Sequence, residues 1–292
     1  MERISINGGT RLTGLIGNPV EHSVSPLIHN HLFSVLNLNY AYIPFKCDPD
    51  YLGAAVAGLK SVGFAGCNVT IPYKSEIIRY CDEISELSEI TGTVNTLYYK
   101  EGRLCGTTTD FAGFKRAAEE LCGSLADKEV VIIGNGGTAR TIGICLSRDN
   151  EIRSLSIAGR NIRKVEDLCR VIQDKTGRSV DPYVLNQEST SENIREYDLI
   201  VNCTPVGMHP NTGVSPVDRD ALTQGQFVFD AVYNPLKTKL ISDAEIRGVE
   251  AVNGLKMLLY QGLESFHYWT GVRPDPGLLD MHEIEEIITG KV

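Results

Sequence analysis

The chain has 292 residues, 42% of them hydrophobic and 22% charged, with a net charge of −9 and a pI near 5.2. A length near twice the ~150 residues of a typical domain predicts two domains with separate cores, and the ordinary composition excludes wholesale disorder. The acidic balance argues against nucleic acid or an anionic membrane surface as partner, because both require a basic footprint.

RLTGLIGN (11–18) predicts a strand. Ser25-Pro26 predicts a helix start, with Ser25 as N-cap and the proline at the first helical position. Ile28, Leu32, Val35 and Leu36 then recur on one helical face. YAYIPF predicts a strand, DYLGAAVAGLKSVG a helix, FAGCNVT a strand and KSEIIRYC a helix. TLYYKEGRLCG predicts two short strands around the turn Glu101-Gly102. Alternation of this kind implies an α/β fold with a largely parallel sheet. A second alternation begins near residue 110. DFAGFKRAAEELCG is helical, KEVVIIGNGGTARTIGICL reads strand, glycine turn, helix, and RSLSIAG, DLIVNC and FVFDAV are further strands. The end of the chain is helical without strands of its own: Leu255, Leu258, Leu259, Leu263 and Phe266 share one face, and MHEIEEII follows. These helices have two possible uses, to finish the second sheet or to return to the first domain.

The eight cysteines include no C-x-x-C spacing and lie largely in apolar patterns, which predicts reduced thiols in a cytoplasmic protein. MERISINGGTRL lacks the apolar stretch of a signal peptide, and no run approaches the ~18 apolar residues of a spanning helix.

VVIIGNGGTAR carries the sharpest spacing signal. Gly134, Gly136 and Ala139 match G-x-G-x-x-G/A after an apolar strand and at the start of a helix, with Gly137 inside the same turn. Gly134 permits the tight turn, Gly136 lets the backbone approach a pyrophosphate, and a small residue at 139 allows close helix–strand packing. The helix N-terminus supplies free N–H groups for the phosphates. An NAD site would place an acid about 20 residues on. SIAGRNIRK has none before Glu166 and offers Arg160, Arg163 and Lys164 instead. A guanidinium grips a 2′-phosphate where a carboxylate would repel it, so the expected cofactor is NADP, held by Arg160 and Lys164.

Taken together the chain resembles the shikimate dehydrogenase family over nearly its whole length. The matching stretches are GNPVEHSVSPLIHN (17–30), NVTIPYK (68–74), GTVNTL (92–97), GNGGTAR (134–140), NCTPVGM (202–208), DAVYNPLKTKL (230–240) and MLLYQGLESFHYW (257–269). The resemblance implies reversible, NADPH-dependent reduction of 3-dehydroshikimate to shikimate in a cleft between two α/β domains. It implies a substrate domain of residues 1–109 and 255–292, completed by the C-terminal helices, and a Rossmann-type NADP domain of residues 110–254. Lys74 and Asp110 match the family's catalytic pair. Ser23 and Ser25 match the serines that hold the substrate carboxylate, with Ser25 equally suited to capping a helix. Thr70, Asn95 and Gln261 match contacts to the ring substituents, and Tyr233 matches a substrate-proximal tyrosine. Thr108 and Phe111 replace the family's asparagine and glycine around Asp110, and Gly159-Arg160-Asn161 stands for its N-R-T. The six histidines show no metal-ligand spacing, and hydride transfer needs no metal. Oligomeric state is open between monomer and homodimer. Rival readings are a quinate or dual quinate/shikimate dehydrogenase, a folate-linked dehydrogenase of similar build, and a non-catalytic NADP-binding sensor. The paired serines and late glutamine argue against the folate-linked enzyme, and the retained Lys74 and Asp110 against the sensor.

Overall fold

Twelve strands make two six-stranded sheets within the residues that a computed structural model describes, 6–149, 151–185 and 193–290. The chain divides into two units, one formed mainly by Met1–Ala112 with Leu259–Ile287, the other by Gly113–Leu258.

The first sheet holds β1 (Arg11–Gly17), β2 (Tyr40–Lys46), β3 (Gly66–Val69), β4 (Glu83–Ile84), β5 (Thr96–Lys100) and β6 (Arg103–Thr107), in the order β2-β1-β3-β5-β6-β4. β1 runs parallel to β2 and β3, whereas β5 is antiparallel to both β3 and β6. With β4 also parallel to β6, three of the five pairings are parallel and two antiparallel, so the largely parallel sheet carries an antiparallel strand, β5, inside it. The cause is local: Glu101 and Gly102 both have positive φ (53° and 78°), the backbone of a two-residue hairpin turn that makes β5 and β6 neighbours. Helix α1 (Ser25–Val35) buries Ile28, His29, Leu32 and Phe33. α2 (Leu52–Ser61) and α3 (Glu86–Thr91) follow, and the segment expected to be a helix at 74–81 is a 3₁₀ turn at Glu76–Tyr80.

The second sheet holds β7 (Glu129–Ile133), β8 (Ser154–Gly159), β9 (Asp181–Val184), β10 (Leu199–Asn202), β11 (Phe227–Asp230) and β12 (Glu250–Asn253). Its order is β12-β11-β10-β7-β8-β9 and every pairing is parallel. This is the doubly wound Rossmann arrangement, in which the strand order reverses between β7 and β10. β7 and β10 are apolar runs because helices cover both faces of such a sheet. α4 (Asp110–Cys122), α5 (Gly137–Asp149), α6 (Ile162–Thr176) and α7 (Lys239–Ile246) belong to this half of the chain, followed by α8 (Leu255–Thr270) and α9 (Met281–Ile288).

The C-terminal part of α8 packs into the first unit. Phe266 lies 4.9 Å from the ring of Phe33, and Trp269 lies 5.0 Å from His29. The Trp269 indole N–H donates to the Leu97 carbonyl (2.9 Å), and a Cβ on Gly66 would stand 2.2 Å from the indole, so β3 carries glycine where the tryptophan crosses it.

Candidate active site

Lys74 is fixed from both sides. Tyr73, fully buried, donates its hydroxyl to the Cys47 carbonyl. The Lys74 carbonyl accepts from Val94 N (2.7 Å), which ties the lysine to the segment leading into β5. The Lys74 ammonium donates to Asp110 Oδ2 at 2.5 Å, with the lysine side chain 21% exposed and the carboxylate 6%. Asp110 is the first residue of α4, where the partial positive charge of the helix end favours a carboxylate.

Asn95 organises the rest. Its Oδ1 accepts from Thr109 N (2.8 Å) and from the Thr96 hydroxyl (2.9 Å). Its Nδ2 faces Asp110 Oδ1 (2.8 Å), Thr109 Oγ1 (3.0 Å) and Gln261 Oε1 (3.2 Å). Gln261 comes from α8, so this unit closes its polar cluster with a residue far away in sequence. Lys74, Asp110, Asn95 and Gln261 thus form one constellation. Thr70 follows the end of β3, its methyl pressed so close to Gly17 that a Cβ there would lie 2.3 Å away.

Ser25 departs from expectation. It is the first residue of α1, and the cap position falls on Val24, whose side chain makes no capping hydrogen bond. Ser23 Oγ accepts from Ser25 N instead (3.2 Å), so the residue without an evident structural role is the one that satisfies a free helix donor. Ser25 is buried, and the Tyr42 hydroxyl donates to Asn68 Oδ1 (2.8 Å). His29, entirely buried beside Tyr42 with ring centroids 4.5 Å apart, has its pKa pushed down to about 3 by that burial. Thr108, where the family has asparagine, is buried with its hydroxyl unpartnered among the described residues, and Phe111 is 9% exposed.

In the second unit the glycine turn follows β7 at the point of strand-order reversal. Gly134 has φ +120°, and a Cβ there would lie 3.1–3.2 Å from Thr204 and Cys203. A Cβ on Gly136 or Gly137 would meet nothing within 4 Å, so that side of the turn is open. Ala139 is fully buried at the start of α5. Thr204 is held in turn: its N–H and hydroxyl donate to Asn202 Oδ1 (3.0 and 2.6 Å), and Asn202 donates to the buried Asp230 (2.8 Å). Burial raises the Asp230 pKa. NCTPVGM and DAVYNPLKTKL carry this support, and sequence reasoning gave Asn202 and Asp230 no role. Arg160, Arg163 and Lys164 are exposed at the start of α6, their side chains without partners among the described residues. Asn161 caps that helix by accepting from Lys164 N (3.3 Å). Tyr233 is half-buried, which raises the pKa of its phenol.

All eight cysteines are free thiols. Among the described residues no helix is long and apolar enough to cross a membrane, and no group of three His, Cys, Asp or Glu side chains is placed to hold a metal.

Comparison with known proteins places the geometry in context. Residues 15–97 match the model of the shikimate dehydrogenase substrate binding domain, residues 116–220 that of shikimate / quinate 5-dehydrogenase, and residues 254–278 that of the shikimate 5'-dehydrogenase C-terminal domain. A shikimate dehydrogenase (NADP(+)) of Methanococcus maripaludis is 42% identical over 271 residues, 92% of this chain and 95% of the relative. One of Methanocaldococcus jannaschii is 40% identical over 283 residues, 97% of this chain and 99% of the relative. A crystal structure of a shikimate dehydrogenase in complex with NADP+ superposes with a TM-score of 0.88 at 36% identity, covering 99% of this chain and 98% of the other.

Proposed function

The chain belongs to the shikimate dehydrogenase family, and on that premise we propose that it catalyses the reversible, NADP-dependent reduction of 3-dehydroshikimate to shikimate. The observation that carries the reading is the pairing of Lys74 with Asp110 at 2.5 Å, braced by Asn95 at 2.8 Å.

NADP fits the second unit. The open backbone at Gly136 and Gly137 and the N-terminus of α5 suit a pyrophosphate, and the unpartnered cations Arg160 and Lys164 suit a 2′-phosphate. When bound, the cofactor supplies or accepts the hydride. Everything else falls to side chains of this chain. Reduction turns a carbonyl oxygen into an alkoxide, which needs a proton donor within about 2.6–3.2 Å. Lys74 gives that proton and takes it back in the reverse direction. Its charge also stabilises the oxyanion as it forms. One ammonium hydrogen is committed to Asp110, which aims the other two. Asp110, Asn95, Gln261 and Thr70 hold the ring substituents, and Ser23 and Ser25 hold the carboxylate. The assignment of Tyr233 to the substrate rests on the family resemblance alone. The same reading describes a cytosolic enzyme, monomer or homodimer, acting on a small molecule.

The test is turnover of purified protein with NADPH and 3-dehydroshikimate, run beside NADP with shikimate or with quinate. Consumption of NADPH with formation of shikimate is expected. Turnover of quinate in preference to shikimate would move the assignment to the quinate enzymes of the family, and absence of turnover with both would leave an NADP-binding sensor.

A further inference from the structure

Behind the constellation lies a set of side chains that no step above uses. Asn68 on β3, Thr96 on β5 and Ser265 on α8 are 5%, 0% and 0% exposed. They come from three separate segments and meet at one point. Asn68 Nδ2 donates to Ser265 Oγ (2.9 Å), with Thr96 Oγ1 at 3.3 Å and the Asn95 carbonyl at 3.2 Å. Ser265 Oγ and Thr96 Oγ1 are 2.7 Å apart, and Thr96 Oγ1 donates to Asn95 Oδ1 at 2.9 Å.

Proton counting gives these bonds one direction. Thr109 N can only donate, so the Asn95 atom facing it (2.8 Å) is the amide oxygen. Thr96 therefore spends its single hydrogen on Asn95 and accepts at its own oxygen. Ser265 donates to Thr96 at 2.7 Å in preference to its longer contact with the Gln261 carbonyl (3.0 Å). Asn68 donates to Ser265, and its amide cannot reverse because the Asn95 carbonyl, which can only accept, faces the same Nδ2 (3.2 Å); Oδ1 then accepts from the Tyr42 hydroxyl (2.8 Å). The chain runs from Tyr42 through Asn68, Ser265, Thr96 and Asn95 to the Asp110 carboxylate, which accepts at Oδ1 (2.8 Å). Hydrogen bonds aligned this way polarise one another, and buried polar groups are tolerated only when so satisfied. Apolar side chains of similar volume would fill the same space at lower cost. What the polar set adds is orientation. Were the Asn95 amide reversed, its oxygen would face the Asp110 carboxylate and repel it.

We propose that Asn68, Thr96 and Ser265 are positioning residues, a one-way hydrogen-bond chain that holds the Asn95 amide with its N–H edge against Asp110. The inference rests on the dehydrogenase reading above and assigns these three no contact with substrate.

The test is a pair of double-mutant cycles, Thr96→Val and Ser265→Ala, each crossed with Asp110→Asn in the full-length enzyme. Ser265→Ala puts the best helix former into α8 and leaves Asn68 two other acceptors, so this variant folds. Each single variant is expected to lower kcat for shikimate oxidation about ten- to a hundredfold, the cost of slightly misplacing an acid–base group, with a smaller change in KM. Thr96→Ser restores the hydroxyl and most of the rate. In the Asp110→Asn background the same changes cost less than about twofold, because residues acting as a unit are not additive. The dissociation constant for NADP, read by fluorescence, stays at the wild-type value in all of them. A merely structural role predicts the same factor in both backgrounds, and that result overturns the proposal. So does wild-type kcat in Ser265→Ala. If wild-type enzyme itself fails to oxidise shikimate, it is the function above that falls.

Discussion

The two halves of this molecule prepare for their ligands in opposite ways. Around Lys74, Asp110 and Asn95 nearly every polar atom already has a protein partner at 2.5–3.2 Å. Around the glycine turn the useful groups are the ones left over: open backbone at Gly136 and Gly137, and cations at Arg160 and Lys164 with no partner among the described residues. The first arrangement fixes direction, because chemistry requires a proton at one atom in one orientation. On the proposed reading the second keeps donors unspent for phosphate oxygens, which charge-assisted bonds reward. Loss of a side chain in the first region should therefore appear in kcat, and in the second in cofactor affinity.

Lys74→Ala is the severest test of that division. It should lower kcat by the ~10²–10⁴ of a lost acid–base group, with a smaller change in KM and an unchanged NADP dissociation constant. Equal losses in kcat and in NADP binding would erase the distinction. Arg160→Ala comes next. One bidentate charge-assisted contact is worth roughly 1.5–3 kcal/mol, so NADP should bind about ten- to a hundredfold more weakly while NAD binding and saturated kcat hardly change. Equal weakening of both cofactors would show that Arg160 does not read the 2′-phosphate.

How far these regions were legible in the sequence depends on what positions each residue. The glycine turn was readable because backbone geometry imposes it: positive φ at Gly134 and the buried small side chain of Ala139 are local demands. The α/β alternation and the hairpin at Glu101-Gly102 were readable for the same reason. The mixed character of the first sheet was not, although that hairpin implied it. Strands β4, β9 and β12 are only two to four residues long and carry little periodic signal. Lys74, Asp110, Asn95 and Gln261 were reached through family resemblance. No spacing rule brings residues 74, 95, 110 and 261 together; the fold does. The chain through Asn68, Thr96 and Ser265 was invisible, since asparagine, threonine and serine in apolar segments look like ordinary strand and helix residues. Nor did sequence reveal that Asp230 and Asn202 brace Thr204 beside the glycine turn.

The glycine turn itself offers a finer test. Gly134 and Gly136 are alike in sequence and different in kind. Alanine at 134 must adopt φ +120° and crowd Cys203 and Thr204, a strain of about 1–3 kcal/mol that denaturant unfolding would detect. Alanine at 136 meets no protein atom within 4 Å and should leave stability within about 0.5 kcal/mol of wild type. If the turn holds the pyrophosphate as proposed, that methyl group crowds it, and NADP should bind about tenfold more weakly, roughly the value of one hydrogen bond to a charged group. Unchanged NADP affinity in Gly136→Ala would move the phosphates elsewhere.

The smallest effect separates the two serines. If Ser25 capped α1, Ser25→Ala would cost about 1 kcal/mol of stability. The structure shows no such cap: the Ser25 N–H is taken by Ser23 Oγ at 3.2 Å, and Val24 holds the cap position. Removing the Ser25 hydroxyl leaves the neighbouring Tyr42–Asn68 bond (2.8 Å) in place. Ser23→Ala instead leaves the Ser25 N–H without its side-chain acceptor in a partly exposed turn, a loss of about 0.5–1 kcal/mol. Both variants should raise the KM for shikimate if the pair holds the substrate carboxylate. Stability should fall only in Ser23→Ala. Denaturant midpoints of the two variants measured side by side decide the matter: a larger drop in Ser25→Ala would return the helix cap to Ser25, and an unchanged KM in both would remove the serines from the substrate site.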